Sequence, residues 1–304
     1  MAENSNHIHS DFSHSDYSVA ELINVFQLCN EKIYALHQNS SEDFKTLSIA
    51  TRHHYKQAFT MQQTVGQIVT APHQNDALLP RESKDSLTYL SNIITVLQFD
   101  DIVRQKLEHI QQTIVEIIEE LHSIQQNTGN KSNQPIKYIY ILPEITKLHA
   151  AQLLQTNRDY QKAITSIRTY LKGVQQSSIA IRKYTNILLS QHGPADLKSK
   201  LTYINNLAEQ LASQISSSLE ENKYCESFAY EVGEINKHMH KISSGRIAGI
   251  TTETQPEILA QLEEMYTMES ERDIHHKVLD IDVHTTKNQI AQQSTDAPDD
   301  VELF

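Results

Sequence analysis

"VLQFDDIVRQKLEHI", Val96–Ile110, lies inside a long run with helical periodicity, yet two adjacent acids, an Arg and a Gln interrupt its apolar pattern. Around it Tyr89, Ile93, Val96, Asp100, Val103, Leu107, Ile110, Ile114, Ile117, Leu121 and Ile124 succeed one another at spacings of four and three. Such spacing returns side chains to one helix face and defines a heptad seam, broken only at Asp100. Continuing the seam through the stretch points Val103 and Leu107 inward and leaves Asp101, Gln105 and Glu108 on the outer face. Asp101 and Gln105, four apart, stack one above the other halfway along the rod.

The same periodicity recurs outward from this stretch. Tyr160, Ile164, Ile167, Leu171 and Val174 share a register with Ile181 and Leu188. Leu197, Leu201, Ile204, Ala208, Leu211 and Ile215 form another seam, which shifts register through Phe228, Val232, Ile235, Met239 and Ile242. Leu22, Val25, Phe26, Cys29, Ile33 and Leu36 give a looser apolar face near the start. Breakers fall at Pro72 to Pro80, Gly129 to Pro135, Gly193 and Pro194, and Ser243 to Pro256.

Helices much longer than about 25 residues need lateral partners, and short connections make consecutive helices antiparallel. The expected fold is therefore all-α: a long, coiled-coil-like antiparallel four-helix bundle over 17–245. A linker (246–256) and a short docking helix (257–280) should follow, with Met265, Tyr266 and Met268 on the buried side of that helix. Residues 1–16 and 281–304 are too polar to bury and read as disordered. The latter nevertheless end in "DDVELF", which places Val301, Leu303 and Phe304 where they gain nothing unless a partner receives them.

Composition narrows the function. The chain has 304 residues, of which 38% are hydrophobic, enough for a sizeable core. Its net charge of -12 and the lack of a basic stripe interleaved with aromatics argue against nucleic acid as a partner. No apolar run approaches the roughly 18 residues of a membrane span, so a soluble cytoplasmic protein without membrane insertion is expected. Cys29 and Cys225 lack the paired spacing of a metal or redox site and read as small buried hydrophobes.

Sixteen histidines raise the question of a metal. A di-iron bundle needs Glu-x-x-His on two helices, and only Glu119 with His122 supplies that spacing. His53/His54 and His275/His276 are adjacent pairs that point apart on a helix, and Glu271 with His275 gives at most two ligands. They read as solvated helix faces, with no metal bound.

The outward Asp and Gln suggest a different chemistry. An Asp pairs with a cation on a partner, and a Gln amide both donates to and accepts from one water, orienting it for attack. Neither is a strong base or nucleophile. The pair therefore suits a reaction whose electrophile and metal come from another molecule, the helix supplying only the position of a water.

"FDDIVRQ", Phe99 to Gln105, resembles the active-site segment of the CheZ family of chemotaxis phosphatases, whose pattern is Phe-x-Asp-Leu-x-x-Gln on a long bundle helix. The resemblance covers this heptapeptide and its helical setting, with Ile102 in place of the Leu. It implies that Asp101 contacts the active-site Lys of a phosphorylated response regulator, and that Gln105 reaches toward the aspartyl phosphate and orients the hydrolytic water. Phe99, Asp100, Arg104 and Glu108 would be contact residues. Arg104 stands where the family has a small residue. Mg2+ would belong to the response regulator, with no cofactor on this chain.

CheZ proteins also carry a linker that ends in an acidic, apolar peptide capturing the response regulator. "DAPDDVELF" is similar in character, which implies docking through Asp299, Asp300, Val301, Leu303 and Phe304. A tethered peptide raises the local concentration of its target. CheZ builds its bundle from two hairpins in a dimer, whereas four long helices are expected here in one chain; a second copy remains an expected partner through exposed apolar stripes. "LQFDDIVRQKLEHI" and "MYTMESERDIH" are also similar to bacterial proteins labelled chemotaxis or methyl-accepting-like. That similarity implies an alternative, a non-catalytic coiled-coil scaffold using the same surface.

Overall fold

Ser18 opens the first helix with a capping box: its Oγ accepts from the Glu21 N–H at 3.3 Å, while Glu21 Oε2 accepts from the Ser18 N–H at 2.8 Å. The computed structural model describes residues 16–68, 77–126, 137–191, 194–220, 224–247 and 255–279. In chain order these form β1 (Asp16–Tyr17), α1 (Val19–Ile68), α2 (Leu78–Leu97), α3 (Phe99–Gln126) and a 3-10 turn (Ile139–Ile141) leading into α4 (Leu142–Ser190). Then follow α5 (Ala195–Glu220), α6 (Tyr224–Ser244), β2 (Arg246–Ile247), α7 (Pro256–Glu264) and α8 (Glu269–Val278).

The architecture is all-α. Its only strands among the described residues are β1 and β2, a two-residue parallel pair with Asp16 opposite Arg246. Asp16, expected in a disordered N-terminus, thus opens β1. The readings of 1–15 and 281–304 concern residues outside those described, as does that of the Cys225 side chain. No helix among the described residues is long and apolar enough to cross a membrane.

The chain divides into two compact units. One comprises Lys32–Glu108 and Leu154–Gly233. Contacts along α4 in this unit run in opposite numerical order to those of its neighbours, the antiparallel pattern. Ser177, Tyr170 and Asp159 meet Glu82, Tyr89 and Lys106 in turn. Gln175, Arg182 and Thr185 likewise meet Ser216, Glu209 and Asn205 on α5.

The heptad reading selects the core of this unit. Ile164, Ile167, Leu171, Val174 and Ile181 are buried on α4, as are Leu201, Ile204, Ala208, Leu211 and Ile215 on α5. At its centre Tyr160 stacks on Phe228 at 4.2 Å between ring centroids, meets Phe44 edge-on at 5.6 Å and donates its hydroxyl to Asp43 Oδ2 at 3.2 Å. Burial pushes the Asp43 carboxyl up to about 6, against the lowering effect of that hydrogen bond.

On α2 the buried line is Leu79, Ser83, Ser86, Leu90 and Ile93. Tyr89 and Val96, expected in the seam, are only half-buried. Tyr89 instead lies over Gly173 of α4, where an added Cβ would come within 2.8 Å of its ring, so the missing side chain is what admits the Tyr.

The other unit comprises the described residues up to Glu31, His109–Leu153 and those from Glu234 onward. Glu120 of α3 here caps the start of the next helical segment. Its carboxylate accepts from the N–H groups of Lys137, Tyr138 and Ile139 at 2.9, 2.9 and 3.1 Å, satisfying donors that a helix start leaves open. Ile110, Ile114, Ile117, Leu121, Ile145, Leu148, Ile235, Met239 and Ile242 bury their side chains.

The docking helix expected over 257–280 is two helices, α7 and α8, separated at Met265–Met268. Tertiary contacts account for the interruption. Tyr266 is buried with its hydroxyl 3.3 Å from His275 Nδ1, and its carbonyl accepts from Arg272 Nη2 at 2.9 Å, so its backbone leaves the helix. Met265 and Met268 are half-buried.

Candidate functional site

The interruption in "VLQFDDIVRQKLEHI" is a boundary between helices. Gln98 N–H bonds back to the carbonyl of Thr95 at 3.3 Å, a tightened turn between α2 and α3. Asp100 and Asp101 therefore occupy the first turn of α3 rather than the middle of one uninterrupted rod. Carboxylates are favoured there because the first N–H groups of a helix present positive charge.

Three side chains fix the rotation of α3. Val103 and Leu107 are fully buried, as the seam requires. Lys106 is also buried, its Nζ 3.1 Å from Asp159 Oδ2, while Asp159 Oδ1 accepts from Gln155 Nε2 at 2.8 Å. Removing one partner of such a buried pair costs about 3–5 kcal/mol, since the other charge is left uncompensated. Lys106 and Asp159 were not legible in the sequence: a Lys beside a seam position ordinarily reaches solvent, and its partner lies on another helix.

With α3 held in this way, Asp101 points outward with 72% of its side chain exposed. Arg104 Nη2 lies 3.2 Å from Asp101 Oδ1, and Arg104 Nη1 lies 3.2 Å from Glu108 Oε1. The two acids hold the guanidinium well into its charged form. Gln105 is half-buried one turn from Asp101 and makes no side-chain hydrogen bond among the described residues. Ile94 and Ile102 are exposed, and Phe99 is half-buried.

Asp100 differs from the other residues of this stretch. It is half-buried, and its Oδ1 is buried without a hydrogen-bond partner among the described residues. Burial, then the adjacent Asp101, raise its carboxyl above the usual range, opposed by Arg104 and by His37 and Ser41 of α1. Its half-buried place beside α1 agrees with its position in the seam.

This face offers a carboxylate already paired with a cation and an amide with no side-chain hydrogen bond among the described residues. An exposed ion pair within one helix gains little over solvation, so Asp101 can exchange Arg104 for another cation at small cost. The tail residues Asp299, Asp300, Val301, Leu303 and Phe304 lie outside the described residues.

The histidine pairs depart from the solvated faces expected of them. His54 and His275 are buried, while His53 is exposed and His276 half-buried. Burial lowers His54 to about 4 and His149, also buried, to about 3. His109 Nδ1 lies 3.0 Å from Oε1 of buried Glu271. No group of three His, Cys, Asp or Glu side chains among the described residues is arranged to hold a metal. The chain matches no protein-family model, no curated protein and no solved structure.

Proposed function

We propose that this chain is a CheZ-like phosphatase of bacterial chemotaxis-type signalling, built on an antiparallel four-helix bundle. It hydrolyses the aspartyl phosphate of a response regulator. The observation that carries the reading is the outer face of α3, where Asp101 stands exposed one turn from Gln105, whose amide has no side-chain partner among the described residues.

In this reading the receiver's active-site Lys replaces Arg104 as the partner of Asp101 and sets the distance between the two proteins. The released Arg104 stays with Glu108. Gln105 then holds one water in line with the phosphorus. Water oxygen bonds to phosphorus as the bond from phosphorus to the receiver's Asp oxygen breaks; the carboxylate is regenerated and the water proton leaves with inorganic phosphate. Mg2+ neutralises charge from the receiver's side. Positioning of this kind is worth two to three orders of magnitude in the analogous removal of one preorganised hydrogen-bonding group, so roughly 100-fold acceleration is expected.

Receiver domains from the same genome, phosphorylated and mixed with the chain, provide the test. Accelerated loss of the acyl phosphate from at least one of them supports the reading, and unchanged lifetimes for every receiver that binds overturn it. The second reading is a non-catalytic scaffold of the methyl-accepting type. It is favoured by the Arg104 clamp on Asp101 and by exposed Ile94 and Ile102, which suit docking without chemistry. A scaffold binds its partner equally well with or without the Gln105 amide.

A further inference from the structure

Within residues 154–190, α4 carries six cations, Arg158, Lys162, Arg168, Lys172, Arg182 and Lys183, against the single acid Asp159. That segment has net charge +5 in a chain of -12, leaving -17 for the remainder. Asp159 is already committed to Lys106, and Arg182 to Glu209 at 2.9 Å. Arg158 is exposed and, among the described residues, forms no ion pair, its Nη1 donating to Gln155 Oε1 at 3.4 Å. Lys162, Lys172 and Lys183 are exposed and form no ion pair among the described residues.

At 3.6 residues per turn these four cations fall on about a quarter of the helix circumference, along about 38 Å of its length. Exposed Leu154, Ile179 and Ile187 share that strip. An open groove of about 600 Å³ runs along Arg158, Gln161, Lys162, Thr165 and Ser166.

We propose that this basic and apolar strip of α4 is the docking site for the chain's own acidic segment, Asp296 to Phe304. That segment, "DAPDDVELF", places Asp296, Asp299, Asp300 and Glu302 among Val301, Leu303 and Phe304 and contains no Lys or Arg. Its charge and its apolar residues complement those of the strip. Nine extended residues span about 30 Å, close to the length of the row of cations. Tethering supplies the segment at high local concentration, so several individually weak, salt-screened pairs suffice to hold it. The contact keeps the segment from receivers until one competes for it; this consequence alone rests on the function proposed above.

The test uses the full chain labelled with 15N at Val, Leu and Phe, and no receiver. At low salt the amides of Val301, Leu303 and Phe304 are expected to relax as part of a large body. In the combined variant Lys162→Glu, Lys172→Glu, Lys183→Glu, and in wild type at 0.5 M NaCl (about a threefold shorter screening length than at 0.05 M), their transverse rates should fall about threefold. Unchanged far-UV circular dichroism shows that the variant remains folded. Free-chain relaxation in the wild type at low salt, or rates unaffected by the three substitutions, overturns the proposal. Loss of the slow tumbling on dilution assigns the segment to a second copy and also overturns it.

Discussion

On α3 Arg104 is held between two acids of its own helix, whereas on α4 four exposed cations make no ion pair among the described residues. Both faces belong to the same unit, and both helices bury a heptad seam behind them. The first face already holds its one cation between two acids, so what it offers is geometry: a carboxylate paired within its own helix and an amide with no side-chain hydrogen bond among the described residues. The second is unneutralised, and what it offers is attraction. A face that needs a partner's exact shape and one that needs only a partner's charge should respond differently to mutation and to salt.

The largest expected effect strikes the core under both faces. Tyr160→Ala removes the ring packed between Phe44 and Phe228 and should cost about 3–5 kcal/mol in denaturant unfolding, whereas Lys172→Glu on the surface should change stability by no more than about 0.5 kcal/mol. Equal costs would mean that α4 is not anchored by its buried side. Next, on the proposed function, Asp101→Ala should weaken binding of a phosphorylated receiver about tenfold in titration calorimetry, because a receiver Lys would lose its charged partner.

Acid should distinguish buried histidines from the exposed charges of either face. His149 and His54 have folded pKa values near 3 and 4, below the unfolded value near 6.5. Their contribution is complete above pH 6.5 and is lost as pH falls toward the folded values. For His149 the loss by pH 5.5 is about 1 kcal/mol, and His149→Gln should remove it from the pH dependence of unfolding. Asp43, raised to about 6, acts in the opposite sense, since protonation as pH falls below 6 relieves its desolvation.

The smallest effect belongs to Arg104→Gln. Freeing Asp101 from its clamp should change receiver affinity only about threefold while reducing its dependence on salt. A tenfold loss would instead make Arg104 a direct contact.

Much of the fold was legible because the apolar residues of α3, α4 and α5 repeat at heptad spacing, and burial follows that spacing at Val103, Leu107, Ile164 and Leu211. The boundary at Gln98 was not, because one tightened turn needs neither Gly nor Pro and leaves the apolar period nearly intact. The division between α7 and α8 leaves no mark in the sequence for a related reason: contacts of Tyr266 with His275 and Arg272 accompany it, not a local breaker. Burial of His54, His275 and Lys106 depends on neighbours distant in sequence, which periodicity does not name.

Of the candidate site, the outward direction of Asp101 and Glu108 and the seam position of Asp100 followed from the heptad spacing, but the clamp at Arg104 is a contact that periodicity does not name. The basic strip was hidden by arithmetic: a net charge of -12 conceals a helical segment of +5.

The most direct measurement compares wild type with Gln105→Ala at equal concentration on one phosphorylated receiver, following both binding and loss of the acyl phosphate. Water positioning predicts that the variant binds within about twofold of wild type while its acceleration of hydrolysis falls at least about 100-fold. A variant that accelerates hydrolysis as well as wild type does would contradict the central role of Gln105.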